Sequence, residues 1–442
     1  MLEQKVKTSL FRVFGGQGSG RALAVRKELA VSQYWPRAEI DTYQRTRLME
    51  LLDIAVQSCP YYRRLIHDPL KSDGVSAREV LAQLPLLYKA DVRRHWTELQ
   101  TRRRDIVRLQ CFQTGGSTGE PLRVCKDRRG LAEVSASILR GHSWAELQLG
   151  DRTASIKAHG RVSRLGKLRQ ALLNAVSFSS CADQGVLRAE VIPALKQFRP
   201  RCITGYPTSL LGLASELRPR EIVIPIILVT GEMLFQHQRT TLEDVFGGQV
   251  FQYYGSNEVS GIAFQCNKGA LHVTDEQVIV EILDEAGQQV WDRVGRIVLT
   301  DLRNVGMPLI RYEIGDLGSI TREICECGRT LTVIKELQGR TQDVIIGDNG
   351  VQLSGVFFAG RFRDLKYVRS YQLVQKDPTL VQLNYVPAGD GADAEISSMI
   401  RAIGEKLGCT VVVQPVPCDE LSLTRAGKTR LVVGLVGGPA PI

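Results

Sequence analysis

The feature that most constrains this chain begins near Pro200. From there short β-type runs such as "EIVIPIILVTGE" and "GQVFQYYGS" alternate with polar or helical stretches. Such alternation predicts a parallel or mixed sheet covered by helices, an α/β architecture. Upstream, "DTYQRTRLMELLDIAVQSCPYYRRL" carries apolar residues at helical spacing and reads as a helix ended by Cys59-Pro60. "LAEVSASILRGHSWAEL" reads as a second helix. Between Gln277 and Asp316, "VIVEILDEAGQQV" and "GRIVLTDL" read as a hairpin. A boundary is expected near Gly339-Arg340. Beyond it "VRSYQLVQ", "LVQLNYV", "AEISSMIRAIGEKLG" and "CTVVVQPV" form a β-β-α-β set large enough for a small domain. The expected division is residues 1–339 as a large domain of mixed sheets and 340–442 as a small α+β domain.

A chain of 442 residues is too long for one ordinary core. No run approaches the roughly 20 apolar residues of a membrane helix. The start, "MLEQKVKTSLFRVFGG", lacks the pattern of a secretory signal, so the expectation is a cytoplasmic protein without a membrane partner. The formal charge of +10 is spread along the chain, with one local run at "TRRRDIVR". Aromatic residues do not interleave with it as in a single-strand nucleic-acid groove, so no nucleic-acid partner is expected.

Two glycine-rich stretches invite a phosphate. "GGQGSGRA", Gly15 to Ala22, nearly spells the Walker pattern but has Arg-Ala where Lys-Ser/Thr is needed, and reads as a mobile N-terminal loop. "QTGGSTGEPLRV", Gln113 to Val124, offers backbone N–H groups and hydroxyls to an anion. It too lacks a Walker lysine, which disfavours a P-loop ATPase. By composition alone it could equally be a plain surface loop.

Its company decides. "QTGGSTGEPL" resembles the phosphate loop of the adenylate-forming ligases, the superfamily of acyl-CoA synthetases and related adenylation enzymes. Five further segments follow in that superfamily's order: "VTGEML", "YYGSNEVSG", "IRYEIGDLG", "GRTQDVI" and "LTRAGKTR". "CPYYRRL" and "LPLLYKADVRRHW" resemble the phenylacetate–CoA ligase branch, with its coronafacate-ligase and capsule-biosynthesis relatives. The resemblance runs from about Asp41 to the end.

It implies ATP-dependent activation of a carboxylic acid to an acyl-adenylate, releasing pyrophosphate. Thr114, Ser117, Thr118 and the backbones of Gly115, Gly116 and Gly119 would hold the β- and γ-phosphates. Gly231 and Glu232 would line the adenine pocket and Tyr254 would stack on the base, with Gly255, Ser256 and Asn257 following. Glu258 would bind Mg²⁺, which prefers oxygen. Asp316 would accept from the ribose hydroxyls, and Arg340 would contact ribose or phosphates. Lys428 would be the catalytic cation, stabilising charge at the α-phosphate. The resemblance also implies a small domain that rotates between half-reactions. Tyr253 reads as ordinary packing. Asn257 stands where Thr or Ser is usual, Gln342 where the hinge commonly has Asp, and "EPLRV" lacks a lysine after its proline. Coenzyme A is the implied acceptor and an aryl or small cyclic acid the implied substrate. An amine, hydroxyl or carrier-protein acceptor is the alternative, and a non-catalytic nucleotide- or zinc-binding module the second. The assembly is expected to be a monomer or homodimer.

"FQCNKGALH" and "CECG" place Cys266, His272, Cys325 and Cys327, a donor set suited to tetrahedral Zn²⁺. Some ligases of the resembled branch carry a structural zinc here. Cys59, Cys111, Cys125, Cys181, Cys202, Cys409 and Cys418 read as buried or half-buried thiols. His159 is a weaker candidate for the acyl pocket, and "TGYPTSLLGLA" (Thr204 to Ala214) for its wall.

Overall fold

The computed structural model describes residues 2–14, 18–66, 74–103, 109–113, 122–157, 164–180, 182, 184–340, 344–348, 351–354, 358, 365–408, 410–422, 429 and 431–435. The strands are β1 (Gln110–Gln113), β2 (Arg123–Lys126), β3 (Thr153–Lys157), β4 (Ala175–Ser179), β5 (Cys202–Gly205), β6 (Ile226–Thr230), β7 (Gln249–Tyr254), β8 (Ala263–Gln265), β9 (Leu271–Val273) and β10 (Val278–Leu283). They continue with β11 (Gly295–Asp301), β12 (Tyr312–Thr321), β13 (Val333–Arg340), β14 (Val344–Ile346), β15 (Gln352–Ser354), β16 (Val368–Asp377), β17 (Leu380–Pro387), β18 (Val412–Pro417) and β19 (Val432–Val433).

Eleven strands form one mixed sheet in the order β10-β11-β12-β13-β9-β8-β7-β6-β5-β3-β4. From β4 to β7 the pairings are parallel, and from β7 to β10 they are antiparallel. Within the parallel half, β6 reads as a continuous apolar run because both faces are covered; Ile226 to Val229 are all buried. Helices Pro207–Ala214 and Gln236–Phe246 supply Leu210, Leu211, Leu213, Leu242 and Phe246 to the core of this half. The antiparallel half buries Val278, Val280, Leu299, Tyr312 and Ile314 against the long helix Arg37–Ser58 and its successors. That helix ends at Cys59, as its proline requires.

A second, four-stranded sheet, β18-β17-β16-β19, packs its own core against helix Ala392–Leu407 through Ile396, Met399, Ile403 and Leu407. It is the β-β-α-β set read from the sequence, with β19 added alongside β16.

Two expectations are corrected. From Ser19 the glycine-rich N-terminal stretch is helix, not loop: Ser19–Ser32 forms an α-helix. Ala22, Val25 and Leu29 pack on Ala132 and Ala136 of helix Arg128–Trp144. Gly18 caps the helix at φ 84°, where a Cβ would lie 2.9 Å from that of Ala132, so close approach explains the glycine. Cys111 and Cys125 are not separate thiols but a disulfide. The β1–β2 hairpin sets them directly opposite each other, with Cα atoms 4.0 Å apart. Cys59 and Cys202 are buried and Cys418 half-buried, all outside the disulfide; Cys181 and Cys409 lie outside the described residues. No described helix is long and apolar enough to cross a membrane.

Candidate nucleotide site and candidate metal centre

Parallel strands present ligands at their carboxyl ends, and there β5, β6 and β7 deliver Gly205, Thr230 and Tyr254. Gly231 and Glu232 follow β6. The Glu232 carboxylate accepts from Thr208 N–H at 3.1 Å and from Thr208 Oγ1 at 2.7 Å. Helix Pro207–Ala214, expected to wall the acid pocket, turns its leucines into the core and brings Thr208 to the site.

After Tyr254 the chain folds on itself. Ser256 N–H donates to the Val259 carbonyl, Val259 N–H to Ser256 Oγ, and Ser260 Oγ to the Ser256 carbonyl. This tight turn carries Gly255, Asn257 and the buried Glu258, whose carboxylate accepts from Tyr312 Oη at 3.3 Å. Four residues along the same strand, Asp316 accepts from Tyr254 Oη at 2.8 Å. Asp316 follows Gly315, whose φ of 85° accompanies a break in the β11–β12 register. Such a bulge re-aims the next side chain, and the positive φ favours glycine there. Across the strands Arg340 stands opposite Asp316. Tyr253 packs as expected, stacked on Phe264 with centroids 4.7 Å apart, its hydroxyl accepting from Gly261 N–H.

The structure adds Lys126, which the motif reading missed. It closes β2, just past the glycine-rich stretch whose proline lacks the usual lysine. Its Nζ donates to Ser260 Oγ at 3.2 Å, and burial pushes its pKa down to about 8 against the pull of Asp301 and Glu258. The next residue, Asp127, caps helix Arg128–Trp144 through Oδ1 and takes the Val305 and Gly306 N–H groups on Oδ2. A lysine directly before an N-cap aspartate was the available signal. Thr114 to Gly119, His159, Gln342 and Lys428 lie outside the described residues.

The second cluster assembles as expected. Cys266, His272, Cys325 and Cys327 bring their ligand atoms within 4.8 Å of one another. Cys327 Sγ lies 3.2 Å from His272 Nε2, and Cys266 Sγ 3.9 Å from Cys325 Sγ. Tetrahedral zinc bonds imply ligand separations of about 3.3–3.8 Å, so the set fits the ion. Burial holds the His272 imidazole neutral, its pKa lowered to about 4. The cluster ties the β8–β9 hairpin to the segment between β12 and β13, and β9 pairs directly with β13.

No family model matches the chain. It is 26% identical to the phenylacetate-coenzyme A ligase of Thermus thermophilus over 90% of this chain and 97% of that protein. It is 22% identical to protein CapK of Staphylococcus aureus over 68% of each. The fold is that of a 2-hydroxyisobutyryl-CoA ligase in its postadenylation state with R3-HIB-AMP, at a TM-score of 0.72, 19% identity, and coverage of 92% of this chain and 93% of that one. Relatives are named as coenzyme A ligases and the fold is shared with AMP-forming ligases. In sequence and fold the chain is similar to the adenylate-forming superfamily, and within it to the phenylacetate–CoA ligase-like branch.

Proposed function

We propose that the chain joins a carboxylic acid to the α-phosphorus of ATP, releases pyrophosphate, and passes the acyl group from the adenylate to coenzyme A. The carrying observation is the Tyr254–Asp316 hydrogen bond beside the buried Glu258. It supports a site with a ribose acceptor, an aromatic for the base and a carboxylate for a hard cation in one place. Mg²⁺ on Glu258 would neutralise phosphate charge and leave Tyr312 to orient the carboxylate. Lys126 supplies positive charge where the loop lacks its own lysine. Thr114 to Gly119 would cradle the β- and γ-phosphates, Arg340 would reach ribose or phosphate, and Lys428 would stabilise charge at the α-phosphate.

Residues 1–339 form the large domain in this reading, and 340–442 the small one that alternates between half-reactions. Zinc on the Cys3His cluster is structural: with four protein ligands it keeps no open position. It braces the strands that leave the Glu258 turn. An aryl or small acid is favoured by the ligases to which the chain is similar.

The test is acid-dependent ATP–pyrophosphate exchange with phenylacetate, 2-hydroxyisobutyrate and a panel of aryl and fatty acids, with Lys428→Ala as control. Exchange with one acid class, lost in the variant, is the expected result. Adding coenzyme A, then amines and carrier protein, identifies the acceptor. ATP binding without exchange from any acid would sink the proposal.

A further inference from the structure

The carboxylate of Glu232 is shared between two parts of the chain. Oε2 takes both donors of Thr208, in the first turn of a helix of the large sheet. Oε1 accepts from the backbone N–H of Thr429 at 2.8 Å. Thr429 is 197 residues away in sequence and directly follows Lys428.

Two other contacts accompany this one. Phe235 faces Tyr371 of β16 with centroids 6.5 Å apart, and His237 Nε2 lies 3.4 Å from the Arg369 carbonyl. The four-stranded domain therefore rests on the segment from Glu232 to His237. Those two contacts reach β16. The Glu232 contact instead reaches the C-terminal segment itself.

A carboxylate already oriented by two donors is prepared for a third, and hydrogen bonds to an ionised acceptor are about twice as strong as neutral ones. Such a bond is directional and is lost after a displacement of about 1 Å. These are the properties of a reversible latch.

We propose that Glu232 is a positioning residue that latches the C-terminal segment to the large domain for adenylation, and that Thr429 must leave it before acyl transfer. This rests on reading Lys428 as the adenylation cation.

The contact can be tested without knowing the acid. Hydrogen–deuterium exchange of the full-length protein, resolved to the peptide containing Thr429, would compare wild type with Glu232→Ala and Thr208→Val. The Thr429 amide should exchange at least tenfold faster in E232A and by an intermediate factor in T208V. Amides of the β16–β17 hairpin should keep their protection, which also shows that the variants fold. In parallel, ATP–pyrophosphate exchange with phenylacetate is compared with transfer from synthetic phenylacetyl-adenylate to coenzyme A. E232A should slow the first at least ten times more than the second. Unchanged protection of Thr429 in E232A would overturn the latch. So would equal losses in both half-reactions, which would make Glu232 a wall of the nucleotide pocket. Full exchange activity in Lys428→Ala would instead remove the reading of the lysine, while the Thr429 amide still decides the latch.

Discussion

Tyr254 Oη donates to Asp316 Oδ2 at 2.8 Å although their strands are not neighbours: β8, β9 and β13 lie between β7 and β12 in the sheet. Only a strongly coiled sheet can bring these two side chains together. The bond fixes the orientation of the carboxylate that would meet the ribose.

Removing that donor should therefore act on nucleotide binding. Tyr254→Phe keeps the ring and loses the hydroxyl, and a hydrogen bond of about 1 kcal/mol corresponds to roughly a fivefold rise in KM for ATP. kcat should stay within about twofold, since the phenol does not meet the reacting atoms in this reading. Asp316→Ala should raise KM further. Steady-state exchange kinetics would check both; a fall in kcat with unchanged KM would contradict the assignment.

Lys126 makes a pH prediction. Its folded pKa of about 8 lies below the ordinary lysine value of 10.5. Between those values the unfolded chain binds more protons than the folded one, so stability rises with pH through that window. Below pH 8 the buried charge carries its full penalty, at most about 3 kcal/mol from a shift of this size. Lys126→Met should thus stabilise the nucleotide-free protein near pH 7, with the advantage shrinking toward pH 10. Urea unfolding of both proteins across that range measures it. The same variant should bind ATP more weakly, because a cation beside the Glu258 turn is gone.

The Cys3His cluster should hold about one zinc per chain in freshly purified protein. Cys327→Ser should reduce the metal content below half and lower the melting temperature by several degrees, because the β8–β9 hairpin loses its tie to the segment before β13. Elemental analysis and calorimetry test this. A metal-free wild type with unchanged stability would remove zinc from the structure.

The Cys111–Cys125 bridge predicts that unreduced digestion yields a linked peptide pair. A cross-link spanning 14 residues limits the unfolded chain by about 3 kcal/mol in the entropic account. Because it joins the two strands on either side of residues 114–121 in the chain, reduction should raise the KM for ATP, and Cys125→Ser should no longer respond to reductant. Mass spectrometry and kinetics with and without reductant decide it.

Much of the fold is legible in the sequence. The apolar run of β6 announces a buried parallel strand, and the "VIVEILDEAGQQV" and "GRIVLTDL" segments pair as β10 and β11. Cys266 with His272, and Cys325 with Cys327, lie close in sequence, and each pair shares a short turn. The Gly15–Ala22 stretch misleads because glycine content speaks for local freedom, whereas packing against Ala132 imposes a helix from Ser19.

What the sequence by itself determined were patterns that span a few residues: strand and helix periodicity, ligand spacing, and motifs whose order defines the superfamily. These follow from backbone preference and side-chain chemistry, which act locally. The tertiary structure decided which distant groups meet. Cys111 finds Cys125 through hairpin register, Lys126 finds Ser260 across 134 residues, and Glu232 finds Thr429 across 197. The last two meetings depend on how the β1–β2 hairpin and the four-stranded sheet pack on the large sheet, which is not a property of any short segment.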